Sequence, residues 1–526
     1  MTFATPFHTR LRSTRHSIPV DPRRAATAAA ITACVVVFAA EVYARRWISD
    51  DGLIAVRQVR QVLAGHRPTY STAERDEVNT SVLWTWLLVA VSAVCGGEPA
   101  LQAVWAGGIL SVGALAVALD ASRRFQRSRG ADGMLLPAGV LVVLGVIPFW
   151  DYGTSGLETG LCFFWLSGSW ALLAAVKPDS TPRRRHGTAF ALGLGPLVRP
   201  EFAIASAAFL VALTLLAGAR ARKILSIIAV AGVLPVAYEI FRAGYYGILI
   251  PMPGLAKEAS NTHWGRGFGY FDDFLTTYKL WIPLALLCVL ITHLYGRARP
   301  SNREVVLVAT PVLAASLMCV YVLRVGGDYM HARMWLPLVL LMLLPLFLVP
   351  FSRTTGVVVA LTAVWATAVG VNGRTSYHNL DAGPQLITNE REFEAAFFGH
   401  KHPARAADHL GGDWGAYLEQ AVDTARGSAI PVLLYMAHDN ATDKDYLTTV
   451  PLAPGRTESF AFFWDNMGMT SVLTSLDQLV IDRNGLATPI SGHLRLDHPG
   501  RAGHEKSLSL VWVLAKYADP VAVTRV

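Results

Sequence analysis

The chain has 526 residues, of which 53% are hydrophobic and only 16% charged, and its mean hydropathy is +0.38. Soluble domains carry about 25% charged residues, so a string of water-soluble domains is excluded, and high apolar content without a low-complexity tract excludes disorder. The net charge of +8 is spread over short loops between apolar runs, which reports membrane topology and not a nucleic-acid partner.

In chain order, residues 1–25 read as a basic tail with Arg10, Arg12, Arg15, Arg23 and Arg24 against the single acid Asp21. Positive-inside logic places it in the cytoplasm. Apolar runs of roughly 17–25 residues span a bilayer as helices. The runs here predict spans at 26–44, 100–119, 134–150, 158–176, 188–200, 202–218, 224–242, 279–295, 304–323, 333–351 and 354–371. These about eleven spans put the basic loops inside, at Arg123/Arg124/Arg127/Arg129, Lys177/Arg183/Arg184/Arg185, Arg220/Arg222/Lys223, Arg297/Arg299/Arg303 and Arg353. Ser81 to Cys95 is too short to cross and reads as a helix along or partly entering the outer leaflet. Thr188 to Ala217, basic at both ends, reads as a hairpin with Arg199-Pro200-Glu201 at its outer apex.

The expected fold is therefore a polytopic α-helical membrane domain over 26–371, followed by an extracytoplasmic C-terminal domain over 372–526. The latter has no span and holds eight of the fifteen histidines. Short runs at Ile430 to Met436 and Leu508 to Leu514 look like strands, so a mixed α/β or β-rich fold is expected. The cysteines Cys34, Cys95, Cys162, Cys288 and Cys319 all lie in or beside apolar runs and read as small buried hydrophobes.

Polar groups are costly inside a bilayer, so where they gather is informative. They gather at the predicted outer ends: Ser49-Asp50-Asp51-Gly52, Glu74-Arg75-Asp76-Glu77, Asp151 to Glu158, Arg199-Pro200-Glu201, Lys257 with His263 and Arg266, and Asp328 to Arg333 with His331 between them. A boundary site with both signs of charge suits a substrate with an anionic head and an apolar tail, such as a lipid-linked phosphosugar. Arg and Lys would hold the phosphate, and carboxylates the sugar hydroxyls or an acceptor proton. Structural readings stand beside these: Ser49-Asp50 as a helix cap, Arg199-Pro200-Glu201 as a paired turn, Asp328 with Arg333 as a local ion pair, and His263 and His331 as solvated interface residues.

These motifs, with Leu63-Ala64-Gly65-His66, Asn79 to Trp84, Thr154 to Thr159, Asp465-Asn466-Met467-Gly468, Asp482 to Pro489 and Gly503-His504-Glu505-Lys506, make the chain resemble the GT-C class of polyprenyl-phosphate-sugar glycosyltransferases. Within it the likeness is to the actinobacterial terminal β-(1→2)-arabinofuranosyltransferase family, AftB. The resemblance implies an enzyme of the plasma membrane with its site on the periplasmic side, a decaprenyl-phospho-arabinose donor, an arabinan acceptor and surrounding membrane lipids.

It implies Asp50 and Asp51 as a catalytic pair, one orienting or deprotonating the acceptor and the other binding sugar or a divalent cation, Mg or Mn. Arg199, Lys257, Arg266 and Arg333 are candidates for the donor phosphate, with Glu158, Glu201, His263 and His331 supporting the sugar or leaving group. Asp328, Asp482, His504 and Lys506 are candidates on the acceptor side, and the C-terminal domain resembles a carbohydrate-binding module. A β-linked donor and β-linked product mean net retention, through either a covalent carboxylate intermediate or acceptor attack from the leaving-group face. A sibling enzyme using a polyprenyl-phosphate hexose such as mannose, and a transporter or flippase of lipid-linked sugars, are the alternative readings. The second predicts ionisable groups at mid-span and related halves, whereas Glu41 and Glu239 lie near predicted outer ends.

Overall fold

A computed structural model describes residues 21–258, 260–296, 299–375, 377, 382–495 and 500–523. Most of the basic tail and Arg297 lie outside them. Among the described residues five helices are long and apolar enough to cross a membrane: Pro22–Ala44, Pro99–Ser128, Ala221–Tyr245, Asn302–Val325 and Arg353–Asn372. A sixth candidate is the pair Trp264–Thr277 and Trp281–Tyr295, bent by 82° at its break. Shorter apolar helices, Val82–Cys95, Thr159–Ala175, Pro200–Leu216 and Arg333–Leu346, complete a polytopic membrane protein.

Two expected spans are not continuous helices. Residues 134–150 form strand β1 (Leu135–Pro137) and the short helices Gly139–Gly145 and Pro148–Asp151. Residues 333–351 form two 3-10 turns around Leu336–Leu343, then β2 (Leu348–Pro350). Proline lacks the amide that an α-helix needs, and these segments carry Pro137, Pro148, Pro337, Pro345 and Pro350. The backbone they free is met by pairing β1 antiparallel to β2, with Leu136 opposite Val349. The hairpin expected over 188–218 is present, broken by Pro196 and Pro200 between Pro182–Gly193 and Ala203–Leu216.

Between the first two long helices, the chain forms the amphipathic helix Asp50–Leu63 and the apolar helix Val82–Cys95. Ser49 caps the former by accepting from Gly52 N at 3.0 Å, which leaves Asp50 and Asp51 in the first turn, where the helix dipole favours acids.

Beyond Asn372 the fold is α/β. Strands β3 (Val432–Asp439), β4 (Lys444–Pro451), β5 (Phe460–Trp464) and β6 (Leu479–Asp482) form one sheet in the order β4-β3-β5-β6. β3 and β4 are an antiparallel hairpin, and β5 and β6 run parallel to β3 and to each other. The run Leu508 to Leu514 is not a strand. Helix Leu510–Tyr517 occupies most of it, burying Val513 and Tyr517 one turn apart.

Helix Met467–Leu473, which follows β5, is held at both ends by the Asp50–Leu63 helix. Asp50 accepts from Gly468 N at 2.9 Å and Met469 N at 2.7 Å. At the other end the fully buried Arg57 donates to carbonyls of Thr474 (3.2 Å), Ser475 (2.9 Å) and Gln478 (3.2 Å). An acid at a helix N-terminus and a cation at its C-terminus both oppose the macrodipole and satisfy orphan backbone groups. The approach is close enough to need glycine: a Cβ on Gly468 would sit 2.1 Å from the Asp50 carbonyl oxygen.

Asp50→Ala and Arg57→Ala should each lower stability by about 2–3 kcal/mol, because each leaves buried backbone groups without a charged partner. Thermal unfolding of the detergent-solubilised protein measures this, and Gly468→Val should reproduce it.

Candidate active site

A cavity of about 200 Å³ opens where one end of the helical bundle meets the C-terminal domain. Each wall comes from a different stretch of chain. The Asp50–Leu63 helix supplies Asp51, and the loop before Val82–Cys95 supplies Val78, Asn79 and Thr80. The cap of Thr159–Ala175 supplies Glu158, and the proline break supplies Arg199 and Glu201. Lys257 follows the short helix Met252–Ala256, Tyr321 and Val325 end Asn302–Val325, and Asp328 and Arg333 belong to the next turn. The C-terminal domain closes the cavity with Leu486, Gly503 and Glu505.

The charges fall into two groups. Arg199 pairs with both Glu158 and Glu201, and Arg333 reaches Glu158 and Asp328, each at 3.3 Å. This closed network ties three chain segments and fixes one wall. Asp328 also accepts from Tyr329 N at 2.9 Å. Burial works against its charge, yet Lys257 and Arg333 hold its carboxyl below the ordinary value.

The other group is open. Among the described residues, no hydrogen bond or ion pair engages the Asp51 carboxylate or the Lys257 amine. Burial pushes Asp51 above the ordinary carboxylate range, against the pull of Lys257 and Arg333. Glu505 gives one oxygen to Arg266 at 3.0 Å, and among the described residues its Oε2 and Arg333 Nε are buried without a partner. Unmet buried polar atoms around a cavity mark where a polar ligand completes the bonding.

The neighbouring aspartates are thus divided. Asp51 faces the cavity, whereas Asp50 is spent on Gly468 and Met469, and its backbone N–H donates to Glu394 Oε1 at 2.8 Å. Burial pushes the Asp50 carboxyl up to about 6 despite those amides. The two do not present a joint chelating face to a Mg or Mn ion, and the described residues contain no cluster of three His, Cys, Asp or Glu that would hold a metal.

Several sequence candidates stand outside the cavity. His331 is buried in a network of its own, with Nδ1 at 2.6 Å from Asp273 and Nε2 at 3.0 Å from the Tyr278 hydroxyl. Arg266 lies behind Glu505 as its counter-charge, and His263 caps the Trp264–Thr277 helix with Nε2 buried and unpartnered. Lys506 donates to Glu258 and to the Leu494 carbonyl, both at 2.5 Å, so it holds the residue beside Lys257. His504 packs edge-on against Tyr329 at 4.7 Å, and its imidazole is pushed down to about 3 by burial and nearby Arg501 and Lys257. Asp482 is fully buried and accepts from the backbone amides of Asn484, Leu486 and Ala487, shaping the turn that brings Leu486 to the cavity.

Residues not singled out from the sequence also belong here. Glu505 lines the cavity from within a motif that had directed attention to its neighbours His504 and Lys506. Glu390 and Glu394, one turn apart on Glu390–Phe397, lie beneath the aspartates. Tyr329 donates to Glu390 at 3.4 Å, and Glu394 contacts His409 Nε2 at 3.3 Å. Burial raises both glutamates well above the ordinary range, reinforced at Glu390 by the charge of Glu394 and at Glu394 by that of Asp50. The i, i+4 acidic spacing was the available signal.

A polytopic helical bundle with a charged, partly unsatisfied cavity beneath an α/β cap defines the class: a polytopic membrane protein with a polar site between bundle and cap. Residues 410–524 match the model of the AftB family C-terminal domain. The chain is 36% identical to the terminal β-(1→2)-arabinofuranosyltransferase of Mycobacterium tuberculosis, over 92% of this chain and 84% of that protein. It is 34% identical to the enzyme of the same name from Corynebacterium glutamicum, over 94% of this chain and 78% of that one. No solved structure matches. The chain belongs to the terminal β-(1→2)-arabinofuranosyltransferase family.

Asp51→Asn should leave the unfolding midpoint near wild type, since its carboxylate bonds nothing, while Asp50→Asn should lower it. Thermal scans of the two variants side by side separate the open residue from the clamped one.

Proposed function

We propose that the chain transfers arabinofuranose from decaprenyl-phospho-arabinofuranose to the termini of arabinan, forming β-(1→2) linkages. Family membership supports the sugar and the linkage; the single observation that supports the site is the open carboxylate of Asp51 opposite the open amine of Lys257. Lys257 and the free Arg333 Nε bind the donor phosphate as charge-assisted donors. Arg199, saturated by two glutamates, holds the wall.

In the reaction the bond between the anomeric carbon and the phosphate oxygen breaks, and the acceptor oxygen bonds to that carbon. Asp51, raised toward neutrality by burial, takes the hydroxyl proton as general base. Donor and product are both β-linked, so configuration is retained: either the acceptor attacks on the face that the phosphate leaves, or a carboxylate first forms a covalent glycosyl intermediate that the acceptor then displaces. The unpartnered Glu505 Oε2 accepts from a sugar hydroxyl.

The donor's tail has a path. Directly below the cavity, Ala203–Leu216 and Asn302–Val325 frame an apolar groove of about 540 Å³ lined by Ala208, Val211, Ala212, Ala309, Leu313 and Leu317. Both helices also reach the cavity, the first through Glu201 just before it and the second through Tyr321 and Val325. From Val305 to Val325 the helix rises about 30 Å, the thickness of a bilayer's apolar core.

The bundle, residues 26–371, is the catalytic unit, crossing the plasma membrane about eleven times. Residues 372–526 stand on the periplasmic side with the cavity. The distribution of arginine supports this. Arg45 and Arg242 at the cavity end are each paired with an acid, Asp151 and Glu77, whereas the far ends carry Arg220, Arg222 and Lys223 together with Arg123 and Arg124, which share the single Asp120. Reporter fusions at Arg185 and Arg299 should report cytoplasm, and one after Asn372 the outside; a cytoplasmic C-terminus would overturn the orientation.

The test of activity is transfer from radiolabelled decaprenyl-phospho-arabinofuranose to a short synthetic arabinan by membranes bearing the protein. A β-(1→2) product is expected, with Asp51→Asn reducing kcat at least about 100-fold. No transfer by folded wild-type protein, with activity on a polyprenyl-phosphate hexose instead, would move the assignment to that donor. The acid limb of kcat should lie above pH ~4, the ordinary aspartate value, because a raised Asp51 must lose its proton to act; activity is lost as pH falls through that limb. Ala309→Trp should raise KM for the decaprenyl donor about tenfold and leave a short-chain isoprenyl analogue unaffected.

A further inference from the structure

The face of the C-terminal domain beside β5 carries a run of aromatic rings that reach water. Trp414 and Tyr417, one turn apart on helix Gly412–Arg426, are 38% and 39% exposed. Their ring centroids are 5.4 Å apart, and Trp414 lies 5.9 Å from Trp464 at the end of β5. Trp464 in turn stacks at 5.5 Å on Phe462, which is fully buried. A core ring thus anchors a run of three that reach water, and the Tyr417 hydroxyl is pinned by Leu447 N at 3.1 Å. Neither tryptophan N–H has a hydrogen-bond partner among the described residues.

The rim is polar and charged. Exposed Asp465, next to Trp464, pairs with Arg483 at 3.5 Å, and Asn484 donates to the Asp465 carbonyl at 3.3 Å. This rim is continuous with the cavity: Arg483 and Asn484 begin the turn that delivers Leu486 to the cavity wall, and Asn466 leads into the helix that grips Asp50. Aromatic faces are electron-rich and take the polarised C–H groups of a sugar ring, while adjoining carboxylate, guanidinium and indole N–H groups bond its hydroxyls. An aliphatic partner would leave those polar groups unmet.

We infer that Trp414, Tyr417 and Trp464, with Asp465 and Arg483, form a saccharide-binding platform that holds the arabinan several residues away from its reacting end. The inference rests on the acceptor reading above and makes the enzyme's preference a matter of chain length. Acceptors too short to reach the platform react through the cavity alone; longer ones gain affinity from it.

The test uses the full-length protein in detergent, with Trp414→Ala, Trp464→Ala and Trp414→Phe, a disaccharide acceptor and a long oligoarabinan. Both alanine variants should raise KM for the long acceptor about tenfold, with kcat and the disaccharide kinetics unchanged and Trp414→Phe close to wild type. Titrating the long oligosaccharide should shift tryptophan fluorescence in wild type and not in Trp464→Ala, a readout that needs no turnover. Unchanged KM for both acceptors, or equal loss on both, would overturn the platform. Failure of the wild type to use either acceptor while still binding the oligosaccharide would instead count against the transfer reaction.

Discussion

Helix Met467–Leu473 has only seven residues, too short to be stable alone, and it is built into the protein through its two ends. Asp50 takes its first amides, and Arg57 the Ser471 carbonyl and those of the turn that follows the helix, both from one helix of the membrane domain. This double grip joins the C-terminal domain to the bundle, and much else depends on it. With Asp50 turned outward into the cap, Asp51 points the other way, toward the cavity. The same docking brings Leu486, Gly503 and Glu505 over the opening and lets Lys506 fix Glu258, the neighbour of Lys257.

The cavity combines a saturated wall with an open one, and the two have different physical tasks. Glu158, Arg199, Glu201 and Arg333 are largely buried and neutralise each other across three loops. Removing one member of such a network would strand a charge, at a cost of about 3–5 kcal/mol. That network gives the bundle one geometry at its cavity end. Asp51, Lys257, Arg333 Nε and Glu505 Oε2 are the groups left unmet, and unmet groups of both signs at a membrane boundary match an anionic head with hydroxyls. Below them an apolar groove lies between two helices that also reach the cavity, which supports the proposed donor with a charged head and an apolar tail.

Much of this was legible in the sequence. The apolar runs announced a bundle, and the polar clusters at alternate loop ends announced one charged face. Asp51, Glu158, Arg199, Glu201, Lys257, Asp328 and Arg333, drawn from five separate stretches of chain, do line one cavity. What misled was adjacency. Asp50 beside Asp51 reads as a pair, but successive residues on a helix are about 100° apart and serve different neighbours. His504 and Lys506 likewise flank Glu505 and support it from outside. His331 belongs with Asp273, Tyr278 and Tyr377, partners too distant in sequence to announce themselves. The spans at 134–150 and 333–351 had the hydropathy of helices, but hydropathy does not count amides, and their prolines broke the helices into pieces that pair as strands.

The sequence by itself determined the solvent each segment would occupy, because transfer of a side chain between water and hydrocarbon is a property of composition and needs no partner. It also determined where charge would collect, since a bilayer expels it to the ends of the spans. Only the tertiary structure decided which charges are spent and which remain available. That depends on distances of about 3 Å between residues hundreds of positions apart, and on which backbone groups a neighbouring domain brings to the same place.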